Sequence, residues 1–412
     1  MERWGIVIVG GGAAGLMAAQ AAARAQKAQG RSVDVLVLEG NPKPGKKLLA
    51  TGNGRCNLSN LTCAPSHYHG GYPDFVRPAL DAFGVTDTLA FFRQRGLLTT
   101  SEPDGKCYPY SDQANSVLDT LRLALDAAGV VVRTDWPVEV IRQGKSGGFT
   151  LTGSAGSLWA DRVILTAGGA AAPKLGGTKS GYQLAKTLGH RCTRLHPSLV
   201  QLNTDPTWPK SLKGVRADAV VKLLMGQELA AEEAGQVQFT DYGVSGPVIF
   251  QLSRLAVTAE APVTLSLDLL PDVSQAELVE LLAQRQAQCP ELTLENLLTG
   301  MLHNRLGRTV IRYGHRKLGD AVMDLTRKNL TAIAKNVKDF RLPVIGDQGL
   351  EHAQVTAGGL DTAQFAPETL ESRRCPGFYA AGEVLDVDGD CGGFNLQWAW
   401  SSGHLAGLLQ HR

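Results

Sequence analysis

Gly10, Gly12 and Gly15 stand at the spacing Gly-x-Gly-x-x-Gly, and an acid, Glu39, follows at the end of the next apolar run. Those residue types can hold a dinucleotide. A first glycine makes a tight turn, a second lets the backbone approach a pyrophosphate, and a third lets helix and strand pack closely. The carboxylate accepts hydrogen bonds from a ribose 2′-OH and repels a 2′-phosphate. This chemistry needs a frame, and the frame is present. Trp4 to Val9 is a short continuous apolar run suited to a parallel strand buried on both faces. An Ala-rich helical stretch runs from the glycines to about Gln29, and Val33 to Leu38 reads as a second buried strand ending at Glu39. The helix N-terminus would meet phosphates with free N–H groups and the positive end of its dipole. A lone glycine triplet is often only a helix-entry turn, whereas strand, turn, helix, strand and acid together make the full fingerprint.

The C-terminal end repeats the theme. From Gly377 the chain reads as a buried strand, a glycine-rich loop and a helix, with Gly382-Glu383 in the loop and Gly392-Gly393-Phe394-Asn395-Leu396 opening the helix. A simple nicotinamide dehydrogenase finishes on a catalytic domain, whereas FAD-binding chains often return to their nucleotide domain. FAD is therefore the expected cofactor. Gly382-Glu383 resembles the Gly-Asp pair with which many flavoproteins hold the ribityl chain.

The pieces Gly10-Gly-Gly-Ala-Ala-Gly15, Gly52-Asn-Gly-Arg-Cys-Asn-Leu-Ser-Asn60, Phe239-Thr-Asp-Tyr-Gly-Val-Ser-Gly-Pro247, Val355-Thr-Ala-Gly-Gly359, Gly382-Glu-Val-Leu-Asp386 and Gly392-Gly-Phe-Asn-Leu-Gln397 together resemble the aminoacetone-oxidase-like family of bacterial FAD-dependent oxidoreductases. The bile-acid-inducible flavoprotein type belongs to the same group. The resemblance spans nearly the whole chain in order. It implies an α/β fold: a Rossmann-like FAD-binding domain from residues 1–194 and 345–412, a β-barrel-like inserted domain from 195–270 and 338–344, and a helical insertion from 271–337 within it. It implies non-covalent FAD, with NAD(P)H as a candidate co-substrate, and hydride transfer between flavin and a small organic molecule. It adds Ala13, Ala14, Gly54, Arg55, Cys56, Asn57 and Asp386 to the cofactor side. The alternative reading, from another class, is a flavin-bound RNA-binding or scaffold protein without small-molecule turnover.

Other positions have a functional and a bland reading. Lys43, Lys46, Lys47 and Arg55 crowd four positive charges into and just before a glycine-rich loop. For Lys43 a solvated surface charge is the better reading; Lys47 and Arg55 are candidates to offset pyrophosphate charge or to fix the flavin edge. Val138 lies on a segment where related flavoproteins pair backbone with adenine, or is an ordinary sheet residue. Gly168-Gly169 resembles a glycine turn of FAD proteins and lacks the spacing of a second dinucleotide site. Cys56 and Cys391 read as buried packing residues. Ser245 reads as a helix cap rather than a hydrolase nucleophile. Asp241, Tyr242 and Arg308 are the substrate-side catalytic candidates, no spacing singling out a general base. No metal-ligand spacing is seen.

The elements between follow from pattern. Leu199–Leu202, Ala219–Leu224, Val237–Phe239 and Val263–Leu267 read as strands. Ser274 with Glu277 is a capping box opening a helix over Ala276–Gln288, and Leu294–Met301, Asn304–Tyr313, Lys317–Arg327 and Thr331–Phe340 have helical spacing.

Composition sets the limits. With 412 residues, 41 basic against 39 acidic and a net charge of +2, there is no global electrostatic footprint for nucleic acid or an anionic membrane, and neither is expected as a partner. The 47 glycines exceed the roughly 7% usual, so many positions need positive φ or close approach. Seven scattered cysteines with no Cys-x-x-Cys pair read as reduced thiols, and the expected compartment is the cytoplasm. The apolar stretch after Arg3 superficially resembles a secretory signal, but Gly10, Gly11, Gly12 and Gly15 interrupt it.

Overall fold

The computed structural model describes residues 1–409, which divide into two compact units, Met1–Pro197 with Gln354 onward, and Ser198–Ala353.

The first unit is a Rossmann-type layer. Strand β1 (Glu2–Val9) leads through the glycine turn into α1 (Ala13–Ala28), and β2 (Val35–Leu38) follows. Helix α2 (Ala114–Ala128) precedes β3 (Val131–Arg133), and β4 (Val138–Gln143), β5 (Phe149–Gly153) and β6 (Gly156–Leu165) form a meander. The sheet order is β3-β2-β1-β6-β5-β4, with β1 parallel to both β2 and β6. Val7, Ile8 and the whole of β2 are buried, as strands covered on both faces must be.

The second unit is built on a closed barrel. β7 (Leu202–Thr204), β8 (Arg216–Met225), β9 (Glu228–Phe239), β10 (Gly243–Ser245), β11 (Val263–Asp268) and β12 (Phe340–Asp347) run in the order β7-β10-β9-β8-β11-β12. Closure comes from β7, which pairs with both β10 and β12 and so leaves no edge. Helix α3 (Pro247–Thr258) follows β10; between β11 and β12 lie α4 (Gln275–Gln288), α5 (Asn304–Tyr313) and α6 (Arg327–Lys338). One apolar core joins the barrel, through Val221, Phe239 and Leu265, to the helices, through Leu282, Val310 and Ile333.

The chain then returns to the first unit. Strand β13 (Phe378–Ala380) pairs in parallel with the second half of β6, and α7 (Phe394–Gly407) packs on α1. The packing uses small residues: a Cβ added at Gly403 would sit 2.4 Å from the Ala14 carbonyl oxygen, and one at Gly407 2.4 Å from that of Ala18.

Several local expectations are corrected. Leu199 sits at φ +52 outside any strand, and the strand begins at Leu202. Leu294–Met301 forms only one 3-10 turn, Leu294–Asn296, and Lys317–Arg327 only Val322–Asp324. The last helix starts instead at Arg327, because Thr326 accepts from Asn329 N–H in a capping box that apolar spacing does not reveal. Ser245 ends β10 and caps nothing; Gly246 takes the N-cap position of α3 without a side-chain bond.

Candidate functional site

Two glycine loops of the first unit, one from each end of the sequence, meet at the head of α1. Gly10 has φ +109, where a Cβ would lie 2.5 Å from the Thr166 carbonyl oxygen, and the Thr166 hydroxyl donates to the Gly10 oxygen at 2.8 Å. Leu16 N–H is the first to bond within α1, so those of Ala13, Ala14 and Gly15 point out of the helix end unpaired by it. From the other end of the chain, Gly382 at φ +77 donates its N–H to Ser402 Oγ, and a Cβ there would touch the Ala14 side chain at 2.8 Å.

Glu39 is 8% exposed, at the end of β2. Its Oε2 accepts from Gly11 N–H at 2.8 Å and its Oε1 from the Asn41 backbone and side chain at 2.8 and 2.6 Å. A carboxylate has about four acceptor sites, so this one is oriented and still able to accept a ribose hydroxyl. Trp136 N–H donates to the Glu39 carbonyl, which brings the segment before Val138 alongside; the Val138 side chain itself is buried in β4. With Glu39 on the ribose of the expected FAD, Glu39→Ala should weaken binding roughly 10- to 100-fold, the loss of a charged acceptor being about 1.5–3 kcal/mol. Titration of apoprotein with FAD checks it, and undiminished affinity would show that the acid faces something else.

The loop Gly52–Cys56 is held in left-handed conformations at Gly52, Asn53, Gly54 and Cys56. Two of those residues carry side chains, which costs roughly 1–2 kcal/mol each and persists only where the surroundings dictate the conformation. Cys56 is fully buried and its thiol is pushed up to about 12 by desolvation, so it packs and does not react. Asn57 Oδ1 is buried with no donor among the described residues. It lies where a Cβ at Gly393 would approach it to 2.8 Å, so an acceptor waits beside the glycine that precedes α7.

At that second helix head, Gly392 has φ +130 and Gly393 φ +102. Gln397 N–H makes the first intrahelical bond, to Gly393 O, leaving the N–H groups of Phe394, Asn395 and Leu396 unpaired within α7. The Asn395 side chain clamps the preceding loop, accepting from Gly389 N–H at 2.8 Å and donating to Gly389 O. Asn60 donates to Gly392 O. Gln397, fully buried, accepts from Ser59 Oγ at 2.6 Å and donates to Thr88 Oγ1 at 3.0 Å.

The charged candidates find protein partners. Lys47 Nζ lies 2.7 Å from Glu383 Oε2, and Glu383 Oε1 also accepts from Thr356 N–H. A Cβ at Gly169 would be 2.4 Å from the same carboxylate, while Gly168 and Gly54 face open space. Arg55 pairs with Asp112 and Glu102 and lies over the Tyr108 ring at 4.0 Å, so its charge is committed within that loop cluster. Asp386 is buried and accepts from Gly71 N–H.

Sequence reasoning missed a cluster beside α7. His67 Nδ1 and His69 Nε2 lie 2.9 and 2.8 Å from the two carboxylate oxygens of Asp390, and the His67 ring stacks on Phe394 at 4.3 Å. The signal was His-x-His, which places two imidazoles on one side of an extended segment. Their common partner comes from the far end of the chain, where no local pattern ties it to them.

The substrate-side candidates all lie in the second unit. Asp241 pairs with Lys213 at 2.7 Å, which holds its carboxyl below the usual range; Arg308 pairs with Glu295 at 3.3 Å, its Nε buried without an acceptor. The Tyr242 carbonyl accepts from Thr204 N–H, and no bond joins the three among the described residues. Among those residues there is also no cluster suited to a metal ion and no helix long and apolar enough to cross a membrane.

The family model described as HI0933-like protein Rossmann domain matches residues 4–409. The chain is 39% identical over 410 residues to a 3-dehydro-bile acid delta(4,6)-reductase of Clostridium scindens, covering 99% of this chain and 98% of the relative. It is 31% identical over 403 residues to a ribosomal RNA dihydrouridine synthase of Escherichia coli, covering 98% and 96%. Among solved structures, a 3-ketosteroid delta1-dehydrogenase from Sterolibacterium denitrificans is 14% identical with a TM-score of 0.49, 99% of each chain being covered.

Proposed function

The chain belongs to the HI0933-like Rossmann-domain family and is an oxidoreductase of the flavoprotein kind, and from that premise we propose that it holds FAD non-covalently and reduces a carbon–carbon double bond conjugated to a carbonyl. The observation that carries this reading is a pair of glycine-lined helix heads in the first unit, the second of which has an orphaned buried acceptor, Asn57 Oδ1, beside it. Phosphates suit the head of α1, a ribose suits Glu39, and an N–H donor suits Asn57. The relatives' names supply the reaction class. Saturating the 4,5-bond of a 3-oxo steroid and converting uridine to dihydrouridine are the same change: hydride adds to the carbon β to a carbonyl and a proton to the α carbon, and the 6,7-bond of a 3-oxo-4,6-diene is its vinylogous form, with hydride adding at the δ carbon and the proton at the γ carbon.

The cofactor supplies the hydride; the protein supplies position, charge and the proton. The unpaired N–H groups of Phe394, Asn395 and Leu396, with the helix dipole, stabilise negative charge brought to the head of α7. Asp390 accepts from His67 Nδ1–H and orients the imidazole, which makes Nε2 the proposed donor of the proton to the α carbon. NAD(P)H is the proposed reductant. The match to the bile-acid reductase supports a steroid-like enone as the substrate, in place of an amine such as aminoacetone.

The test is anaerobic. Photoreduced holoprotein is mixed with a 3-oxo-4,6-diene steroid and, separately, with a uridine-containing RNA, and flavin absorbance is followed with product mass. Reoxidation with a gain of two mass units per bond is expected. His67→Gln should slow reoxidation by the alkene on the order of 100-fold, general acid catalysis contributing about 10²–10⁴, and leave reoxidation by ferricyanide unchanged. Flavin that stays reduced with both alkenes would overturn the reading.

A further inference from the structure

We infer that the exposed face of α5, with the turn packed beside it, is a docking surface for the phosphate backbone and bases of single-stranded RNA. The inference deepens the proposed function only in naming RNA as a carrier of the reducible ring. Between His303 and Lys317 the chain has Arg305, Arg308, Arg312, Arg316 and Lys317 and no acid. The steps of three and four residues from Arg305 through Arg308 to Arg312 place these arginines on one side of the helix, opposite the buried Leu306, Val310 and Ile311, and Arg316 and Lys317 follow in the turn that ends it, after His315 at φ +56. The net charge of +2 hides this stripe, because acids elsewhere cancel it. Arg305 donates to the carbonyls of Ser211 and Lys213, which brings Lys210 and Lys213 to the N-terminal end of the stripe. Lys213 is paired with Asp241 and Arg308 with Glu295, whereas Lys210, Arg312, Arg316 and Lys317 have no carboxylate within ion-pair distance among the described residues.

A second observation selects the partner. Trp208 and Tyr313 pack on the apolar core of this unit, Tyr313 against Phe340 at 4.8 Å, yet both stay partly exposed; they meet edge to face with ring centroids 5.6 Å apart, next in sequence but one to Lys210 and adjacent to Arg312. Aromatic rings among arginines give bases a surface to stack on while the cations take the phosphates. A lipid surface would want an exposed apolar anchor, and the large exposed hydrophobics of this unit, Leu229, Leu255, Leu281, Met323 and Ile345, are all off this stripe.

The experiment uses holoprotein and a fluorescein-labelled, unstructured single-stranded RNA oligonucleotide, with anisotropy read from about 50 to about 200 mM salt. Wild type should bind with a linear fall of log affinity against log salt. The variant Arg312→Glu/Arg316→Glu/Lys317→Glu should lose on the order of 100-fold at about 50 mM, its slope shallower by about 2, single strands giving about 0.7 per phosphate contact. Arg312→Gln alone should lose less, with wild-type flavin content and steroid reduction in both variants serving as the folding control. No binding by wild type at the lowest salt overturns the inference. So does equal binding by the triple variant, or equally tight binding to polyglutamate of matched length or to mixed phosphatidylcholine–phosphatidylserine vesicles. Salt-dependent RNA binding without reduction of any alkene would sink the proposed reaction and leave this surface standing.

Discussion

Gly12→Ala is expected to fold and lose its flavin, whereas Gly15→Ala is expected to yield little folded protein at all. The two glycines share one motif, and their surroundings are opposite. Around a Cβ at Gly12 there is no protein atom within 4 Å, and its φ of −80 is ordinary, so the protein itself has no objection to a methyl group. The cost to the apoprotein is that of a poorer N-cap, under about 1 kcal/mol. What the methyl group obstructs is whatever approaches the backbone from outside. At Gly15 the Cβ would lie 1.9 Å from the Gly10 carbonyl oxygen and 2.7 Å from Thr166 Oγ1, and those two atoms are hydrogen-bonded to each other. Relief would require prising α1 off β1, a cost of at least about 3 kcal/mol by comparison with ordinary overpacking. Apoprotein melting temperatures and flavin-to-protein ratios decide the matter. A Gly12→Ala protein that keeps stoichiometric FAD would remove the pyrophosphate from this loop.

Gly393→Ala should destabilise the apoprotein by more than about 2 kcal/mol and also abolish flavin retention. At φ +102 a side chain is strained in any surroundings, and here its Cβ would meet the Ser59 carbonyl oxygen at 2.4 Å and Asn57 Oδ1 at 2.8 Å. The glycine is therefore required by the protein's own backbone before any ring is bound, and a redox change in such a variant would not isolate the helix dipole. Asn57→Ala separates the two roles. Its Oδ1 has no donor among the described residues, so removing it should leave apoprotein stability within about 0.5 kcal/mol while weakening FAD and shifting its potential. An Asn57→Ala protein with unchanged affinity and potential would place the cofactor's hydrogen-bonding edge elsewhere.

The motifs alone carried the nucleotide fingerprint, because strand, glycine turn, helix, strand and Glu39 are consecutive and each makes its contribution through local backbone geometry. The return at Gly382 and Gly392 was legible for the same reason, as were the barrel strands with clean alternation and the helix opened by Ser274. Periodicity reports which face of an element is buried and says nothing of what lies opposite. Only the folded chain therefore decided that Lys47 answers Glu383, near the other end of the sequence, and that Arg55 turns to Asp112 and Glu102. The same holds for the two imidazoles that share Asp390, and for the backbone at Ser59 that makes Gly393 a glycine. Barrel closure belongs with these: the strand read over Leu199–Leu202 forms instead as β7, Leu202–Thr204, and it joins β10 to β12 because an open sheet edge leaves N–H and C=O groups unpaired. The Arg stripe of α5 was in plain sight in the sequence, but only the packing of Lys210, Trp208 and Tyr313 around it gives the charge a shape.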